Sequence, residues 1–243
     1  MEKPVAIVQH QPSVPPGSIE SVLRGSRVEH FVLEAWREAT WPAAVDLGAL
    51  VVLGGTMNVD QIDSFPFIGR SRVLMAEAVD REIPVLGVCL GSQMLARVLD
   101  APVVRSEPRN ATFSPVRLTP EGERDEIVGG FTPEVPVLQF HEDTFEVPKD
   151  AVALATSSTS GTSQAFRYGI NAYAVQFHFE VDRPIVEGWL ADIGPESMKR
   201  DWGVAPDELL RQVERHLARQ RVAGARLVEG FLALAAVRPT EGV

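Results

Sequence analysis

At 243 residues, 45% of them hydrophobic and 23% charged, the chain is long enough for one large α/β domain and too apolar for extended disorder. Its 33 acidic and 23 basic residues leave a formal net charge of −10, a field that repels a phosphate backbone, so nucleic acid is not an expected partner. The single cysteine excludes an internal disulfide and any multi-cysteine metal site, and no run approaches the ~18 apolar residues that a membrane span needs.

The N-terminus shows no signal-peptide pattern and leads straight into a short apolar run, which predicts a soluble cytoplasmic protein. That run, Val5–Gln9, and residues 50–53 are continuous and β-branched, as in strands buried on both faces. Residues 85–88 read the same way, although Gly87 weakens the signal. Between the second and third strands, residues 67–82 place Ile68, Val73, Leu74, Ala78 and Val79 near helical spacing, and Pro84 ends the helix. Strand, helix, strand predicts an α/β fold with an open, mostly parallel sheet flanked by helices. Residues 90–99 follow as a helix. Beyond residue 100, segments 116–118, 135–140, 151–155, 165–168 and 172–177 read as short strands between Pro, Gly and Ser turns, expected as antiparallel additions to the sheet. A helix over 183–191 comes next. Residues 207–236 then form one or two amphipathic helices, with Gly224 and Gly230 as break points. Arg215, His216, Arg219, Arg221 and Arg226 alternate there with Glu208, Glu214 and Glu229, the pattern of a solvated helix face.

Cys89 stands where the third strand turns into a helix, flanked by Gly87 and Gly91 as G-x-C-x-G, the cysteine form of a nucleophile elbow. A sharp strand-to-helix reversal strains its corner residue and leaves no room for neighbouring side chains. In return, the sulfur projects at a helix N-terminus, where unpaired N–H groups stabilise negative charge. A lone cysteine is more often a small buried hydrophobe; the glycines and the junction argue for the nucleophile. Such a nucleophile needs a base, and the base needs an orienting group. In Gln176-Phe-His-Phe-Glu180, extended backbone puts His178 and Glu180 on one face and Phe179 on the other. His10 and His30 have no carboxylate at strand spacing, and His216 belongs to the charged C-terminal helix. His141 does compete, because Glu142 and Asp143 follow it and a strand precedes it; the residues alone leave both histidines in play. A histidine–x–glutamate after the nucleophile is not the α/β-hydrolase order, and no G-x-G-x-x-G or P-loop follows any predicted strand.

These segments together resemble the class I glutamine amidotransferases, whose elbow reads G-[IV]-C-x-G-x-Q and whose triad closes with H-P-E. Here the elbow is Gly87-Val-Cys-Leu-Gly-Ser-Gln93, and Gly54-Gly55 after the second strand looks like the family's glycine pair. Members similar to the GMP synthase amidotransferase domain also carry stretches like Phe140-His-Glu-Asp-Thr-Phe145 and Gln164-Ala-Phe-Arg-Tyr-Gly169. The resemblance covers roughly residues 3–192 and implies a single flavodoxin-like domain over 1–243 with a C-terminal helical extension from about 193. It implies Cys89, His178 and Glu180 as catalytic residues and the N–H groups of Gly55 and Leu90 as an oxyanion hole. Gln93, Gly54 and His141 would bind substrate, with no metal and no cofactor. The small-molecule substrate would be glutamine or a γ-glutamyl compound. Ammonia would go to a separate synthetase subunit, since the chain holds no synthetase-sized second domain. An independent γ-glutamyl hydrolase with the same triad is the alternative, and a silent binding module a third reading. Three departures stand out. Phe179 replaces the proline of the triad segment, Glu142 replaces a glycine and adds charge near the expected pocket, and residues 105–114 lack an E-[IV]-G-W pattern.

Overall fold

The computed structural model describes residues 3–236. Its first half runs β1 (Val5–Gln9), α1 (Ser18–Gly25), β2 (His30–Glu34), β3 (Ala49–Val52), α2 (Pro66–Asp80), β4 (Val85–Val88) and α3 (Leu90–Val98). The second half runs β5 (Val103–Ser114), β6 (Val116–Leu118), α4 (Pro120–Arg124), β7 (Val137–Phe145), β8 (Val152–Ser157), β9 (Ser163–Tyr168) and β10 (Ala172–Val175). Helices α5 (Arg183–Ile193), α6 (Pro195–Asp201) and α7 (Pro206–Ala236) complete it.

Eight strands form one sheet in the order β2-β1-β3-β4-β10-β9-β8-β6. The five from β2 to β10 are parallel, and β9, β8 and β6 continue the sheet antiparallel. Every residue of β1, β3, β4 and β10 is buried, because helices cover both faces. Alternation along β1 shows the two layers directly. Val5 and Ile7 pack with Ile19 and Leu23 of α1 and with Leu227 and Phe231 of α7. Ala6 and Val8 face the opposite layer, with Ile68 and Leu74 of α2 and Met94 and Leu95 of α3.

Besides β2, β5 and the short helices α1, α4 and α6, which are not among the expected elements, three features differ from the expectation. The helix after β3 ends at Asp80 rather than Glu82: Glu82 takes a positive φ of 54°, and the Ile83 N–H bonds back to Ala78 O at 2.8 Å before Pro84 is reached. The strand expected over 135–140 runs to Phe145 and does not join the main sheet. It pairs instead with β5 in a separate antiparallel ribbon, which extends it through the HEDTF segment. α7 is one 31-residue helix, unbroken at Gly224 and Gly230. Both glycines serve close packing: a Cβ would lie 3.0 Å from Phe179 at the first and 3.2 Å from Ile127 at the second.

Because β1, β3, β4 and β10 are parallel, their C-terminal ends share one edge of the sheet, where open α/β folds bind ligands. The register places Val175 of β10 beside Val88 of β4, so the residues following both strands emerge side by side. Among the described residues, no helix is long and apolar enough to cross a membrane.

Candidate active site

Cys89 occupies the corner between β4 and α3 with φ 51° and ψ −108°, a backbone region that costs a non-glycine residue on the order of 1–3 kcal/mol. Hydrogen bonds on both sides hold it there. Its N–H donates to Val175 O at 2.9 Å, and its carbonyl accepts from Gln93 N–H at 3.1 Å and Ser92 Oγ at 2.6 Å. The flanking glycines are steric requirements. A Cβ on Gly87 would run into the backbone of Gly91, and one on Gly91 into the Val52 carbonyl of β3. Since Gln93 makes the first i→i−4 bond, the amides of Leu90, Gly91 and Ser92 begin the helix without an intrahelical acceptor.

His178 follows β10. Its N–H donates to Leu138 O of β7 at 2.9 Å, and its ring meets Trp189 of α5 edge-on at 4.9 Å. Nδ1 lies 2.7 Å from Glu180 Oε1; a carboxylate only accepts, so Nδ1 carries the proton and Nε2 is left for Cys89. Both side chains are buried. Burial alone would lower the imidazole pKa, but the Glu180 carboxylate and a hydrogen bond with Cys89 outweigh it and raise it well above its ordinary value. The Glu180 carbonyl accepts from Ser18 N–H at 2.8 Å, with Gly17 packed too closely for a Cβ, so the loop entering α1 clamps the acid's backbone.

Gly54 sits against both partners: a Cβ there would lie 3.0 Å from His178 Cε1 and 3.5 Å from Cys89 Cβ. Gly55 is beside Leu90, whose Cδ2 would be 2.9 Å from an added Cβ. Gln93 is buried rather than solvated. Its Nε2 donates to Asp143 O at 3.0 Å and to Gln176 Oε1 at 3.3 Å, bracing α3 against the ribbon and the end of β10. His141 faces inward within the ribbon, with Nδ1 3.0 Å from Asp143 O and Nε2 2.9 Å from the Gln139 amide. Burial, then the charge of His178, push its pKa down to about 4. Glu142 pairs with Arg105 at 2.6 Å and Arg109 at 3.0 Å across the ribbon, so its charge is matched there, outside the pocket lining.

A pocket of about 90 Å³ opens on Cys89 and His178 and is lined also by Gly55, Thr56, Phe140 and Trp189. Leu90, Gly54, Gln93 and His141 lie outside this lining. Most of its wall carried no signal in the sequence. Gln11 and Ser13 come from the loop after β1, while Trp189, Asp192 and Ile193 come from α5. Gln11 Oε1 accepts from Thr56 N and Oγ1, both at 2.9 Å, and Trp189 Nε1 donates to Ser13 O at 2.6 Å, tying these walls together. A larger groove of about 530 Å³ lies along the β6 edge, and its lining offers neither thiol nor imidazole. Among the described residues, no cluster of three metal-ligating side chains occurs.

The model of the class I glutamine amidotransferase family matches residues 20–184. YfeJ of Salmonella typhimurium, a glutamine amidotransferase-like protein, is 30% identical over 154 residues, 62% of this chain; the match spans 64% of YfeJ, just under two thirds. A glutamine-hydrolysing GMP synthase subunit from Haloarcula marismortui is 31% identical over 167 residues, 66% of this chain and 82% of its own. The crystal structure of a glutamine amidotransferase from Thermotoga maritima superposes with a TM-score of 0.84 at 27% identity, covering 97% of this chain and 99% of that one. The matched span runs through the glycine pair, the elbow and the His178–Glu180 segment, and the chain belongs to the class I glutamine amidotransferase family.

Proposed function

We propose that this chain hydrolyses the side-chain amide of glutamine through a Cys89 thioester and releases ammonia to a separate acceptor protein. The observation that carries the reading is the buried His178–Glu180 pair at 2.7 Å, set beside a cysteine held at a strained strand–helix corner. The Cys89 sulfur attacks the carboxamide carbon, and the carbonyl electron pair moves onto oxygen. The N–H groups of Gly55 and Leu90 stabilise that oxyanion. As the tetrahedral intermediate collapses, the C–N bond breaks, and His178 gives its Nε2 proton to the departing nitrogen. Water then attacks the thioester while His178 takes up its proton; the C–S bond breaks and glutamate leaves. Glu180 keeps the imidazole in the required orientation throughout. The separate acceptor is supported by the Haloarcula relative, which is named as one subunit of a synthase.

Treatment with a diazo-ketone analogue of glutamine should label the protein once, at Cys89, and Cys89→Ala should abolish both labelling and ammonia release. His178→Ala should cost roughly 10²–10⁴ in kcat, as for loss of a general acid–base, with Glu180→Gln between it and the wild type. His141→Ala should keep most of kcat, since His141 lies outside the pocket lining. A severe His141 variant beside a mild His178 variant would reverse the assignment.

A further inference from the structure

His10 follows β1, is completely buried, and has no part in the steps above. Its Nε2 lies 2.9 Å from Ser71 Oγ of α2, its ring stacks on Phe67 at 6.1 Å, and its Nδ1 faces the Gly54 carbonyl at 3.4 Å together with that of Leu53. Burial pushes its pKa down to about 4, so the ring is neutral and has a single N–H. Both groups facing Nδ1 are carbonyls, which only accept, so the proton sits on Nδ1. Nε2 is then free to accept from the Ser71 hydroxyl, which has the Phe67 carbonyl at 3.0 Å as its other acceptor, so the two carbonyls at Nδ1 decide the tautomer.

Gly54 and Gly55 share one peptide unit. The carbonyl that His10 faces belongs to the same plane as the Gly55 N–H, and in a trans peptide the two point in opposite directions. A carbonyl tied toward the buried ring therefore turns the N–H toward the other side, where Gly55 lines the pocket beside Leu90. The peptide needs such a tie. Gly54 must lack a side chain because His178 and Cys89 crowd it, and two successive glycines leave their shared peptide free to rotate. Hydrogen bonds hold the chain on either side, Leu53 N–H to Val8 O at 3.0 Å and Thr56 N–H to Gln11 Oε1 at 2.9 Å, but neither fixes the plane between.

We propose that His10 is a positioning residue, whose Nδ1–H holds the Gly54 carbonyl and so presents the Gly55 N–H to the developing oxyanion. The proposal rests on the hydrolytic reading above and on Gly55 as an oxyanion donor.

His10→Phe keeps the ring and its stack on Phe67 and deletes both nitrogens; His10→Asn returns an N–H near the Nδ1 position. Losing one oxyanion donor costs about a hundredfold or more, so a peptide that is merely untied should lower kcat for glutamine hydrolysis about tenfold or more in His10→Phe. Alkylation of Cys89 by iodoacetamide, a displacement at saturated carbon that forms no oxyanion, should stay within about twofold of wild type. His10→Asn should recover most of the lost kcat. The idea is overturned if His10→Phe turns over like wild type, if alkylation and turnover fall together, or if asparagine restores nothing. Failure of the underlying reading looks different: wild-type protein would release no ammonia from glutamine, or Cys89→Ala would release it equally well.

Discussion

Three imidazoles are buried near the sheet's C-terminal edge, and their surroundings drive them in opposite directions. His178 has a carboxylate partner and is raised; His10 and His141 have none, and burial pushes them down to about 4. In the unfolded chain each returns to about 6.5. Below that pH the unfolded state binds protons that His10 and His141 refuse in the folded state, so stability falls as pH drops from about 6.5 towards 4. His178 has the opposite sign: its contribution is complete below 6.5 and is lost as pH rises through its elevated folded value. Urea unfolding at pH 7 and pH 4.5 separates these effects. His141→Asn should lose less stability over that interval than wild type by on the order of 2 kcal/mol, the value for one histidine titrating from 6.5 to 4. Parallel losses in the two proteins would mean that His141 takes up its proton in the folded state.

Phe179 joins this residue to the packing of whole elements. Strand alternation sends its ring away from His178 and Glu180 into the core, against Phe131 at 6.4 Å and against Gly224 of α7. The missing proline thus leaves no slack segment, because a buried aromatic anchors the backbone between the two triad positions. Gly224 makes that contact: a Cβ would sit 3.0 Å from both Phe179 Cδ2 and Phe179 O, and the carbonyl has little freedom to yield. Alanine at a helix interior gains ~1 kcal/mol in propensity over glycine, whereas overpacking costs about 1–3 kcal/mol. Gly224→Ala is therefore expected to destabilise the protein on balance and to lower kcat by shifting the triad segment. Phe179→Ala should cost about 3–5 kcal/mol. Denaturation midpoints measure both, and a stabilised Gly224→Ala would show that the helix can move off the segment freely.

At the scale of the molecule, access governs the expected activity. Cys89 is only 5% exposed and lines a pocket of about 90 Å³. Walls from the loop after β1, the glycine pair and α5 are tied across it by the Gln11–Thr56 and Trp189–Ser13 hydrogen bonds. With the walls tied in this way, the isolated protein should show weak glutaminase activity, and a docking synthetase that shifts these walls should raise it. Ammonia release measured with and without candidate synthetases tests this directly. Rapid turnover of a γ-glutamyl peptide by pure protein, unchanged by any partner, would favour the independent hydrolase.

Eight of the ten strands, the elbow and the His–x–Glu pair were legible because each is a local pattern; β2 and β5 were not. Apolar runs mark strands covered on both faces, two glycines mark a turn too tight for side chains, and alternation puts His178 and Glu180 on one face. Element boundaries were less legible where partners decide them: β7 runs to Phe145 only because β5 pairs with it, and α7 continues through Gly224 and Gly230 because both pack against neighbours. The sequence by itself favoured His178 but could not eliminate His141, since each follows a predicted strand and lies near carboxylates. Tertiary structure alone distinguishes their surroundings. β10 lies directly beside β4, whose end carries Cys89, while β7 belongs to a separate ribbon that turns His141 inward. The pocket walls escaped the sequence for the same reason. Ser13 and Trp189 meet across 176 positions of chain, and such a meeting is set by the order of parallel strands in the sheet, which no local spacing records.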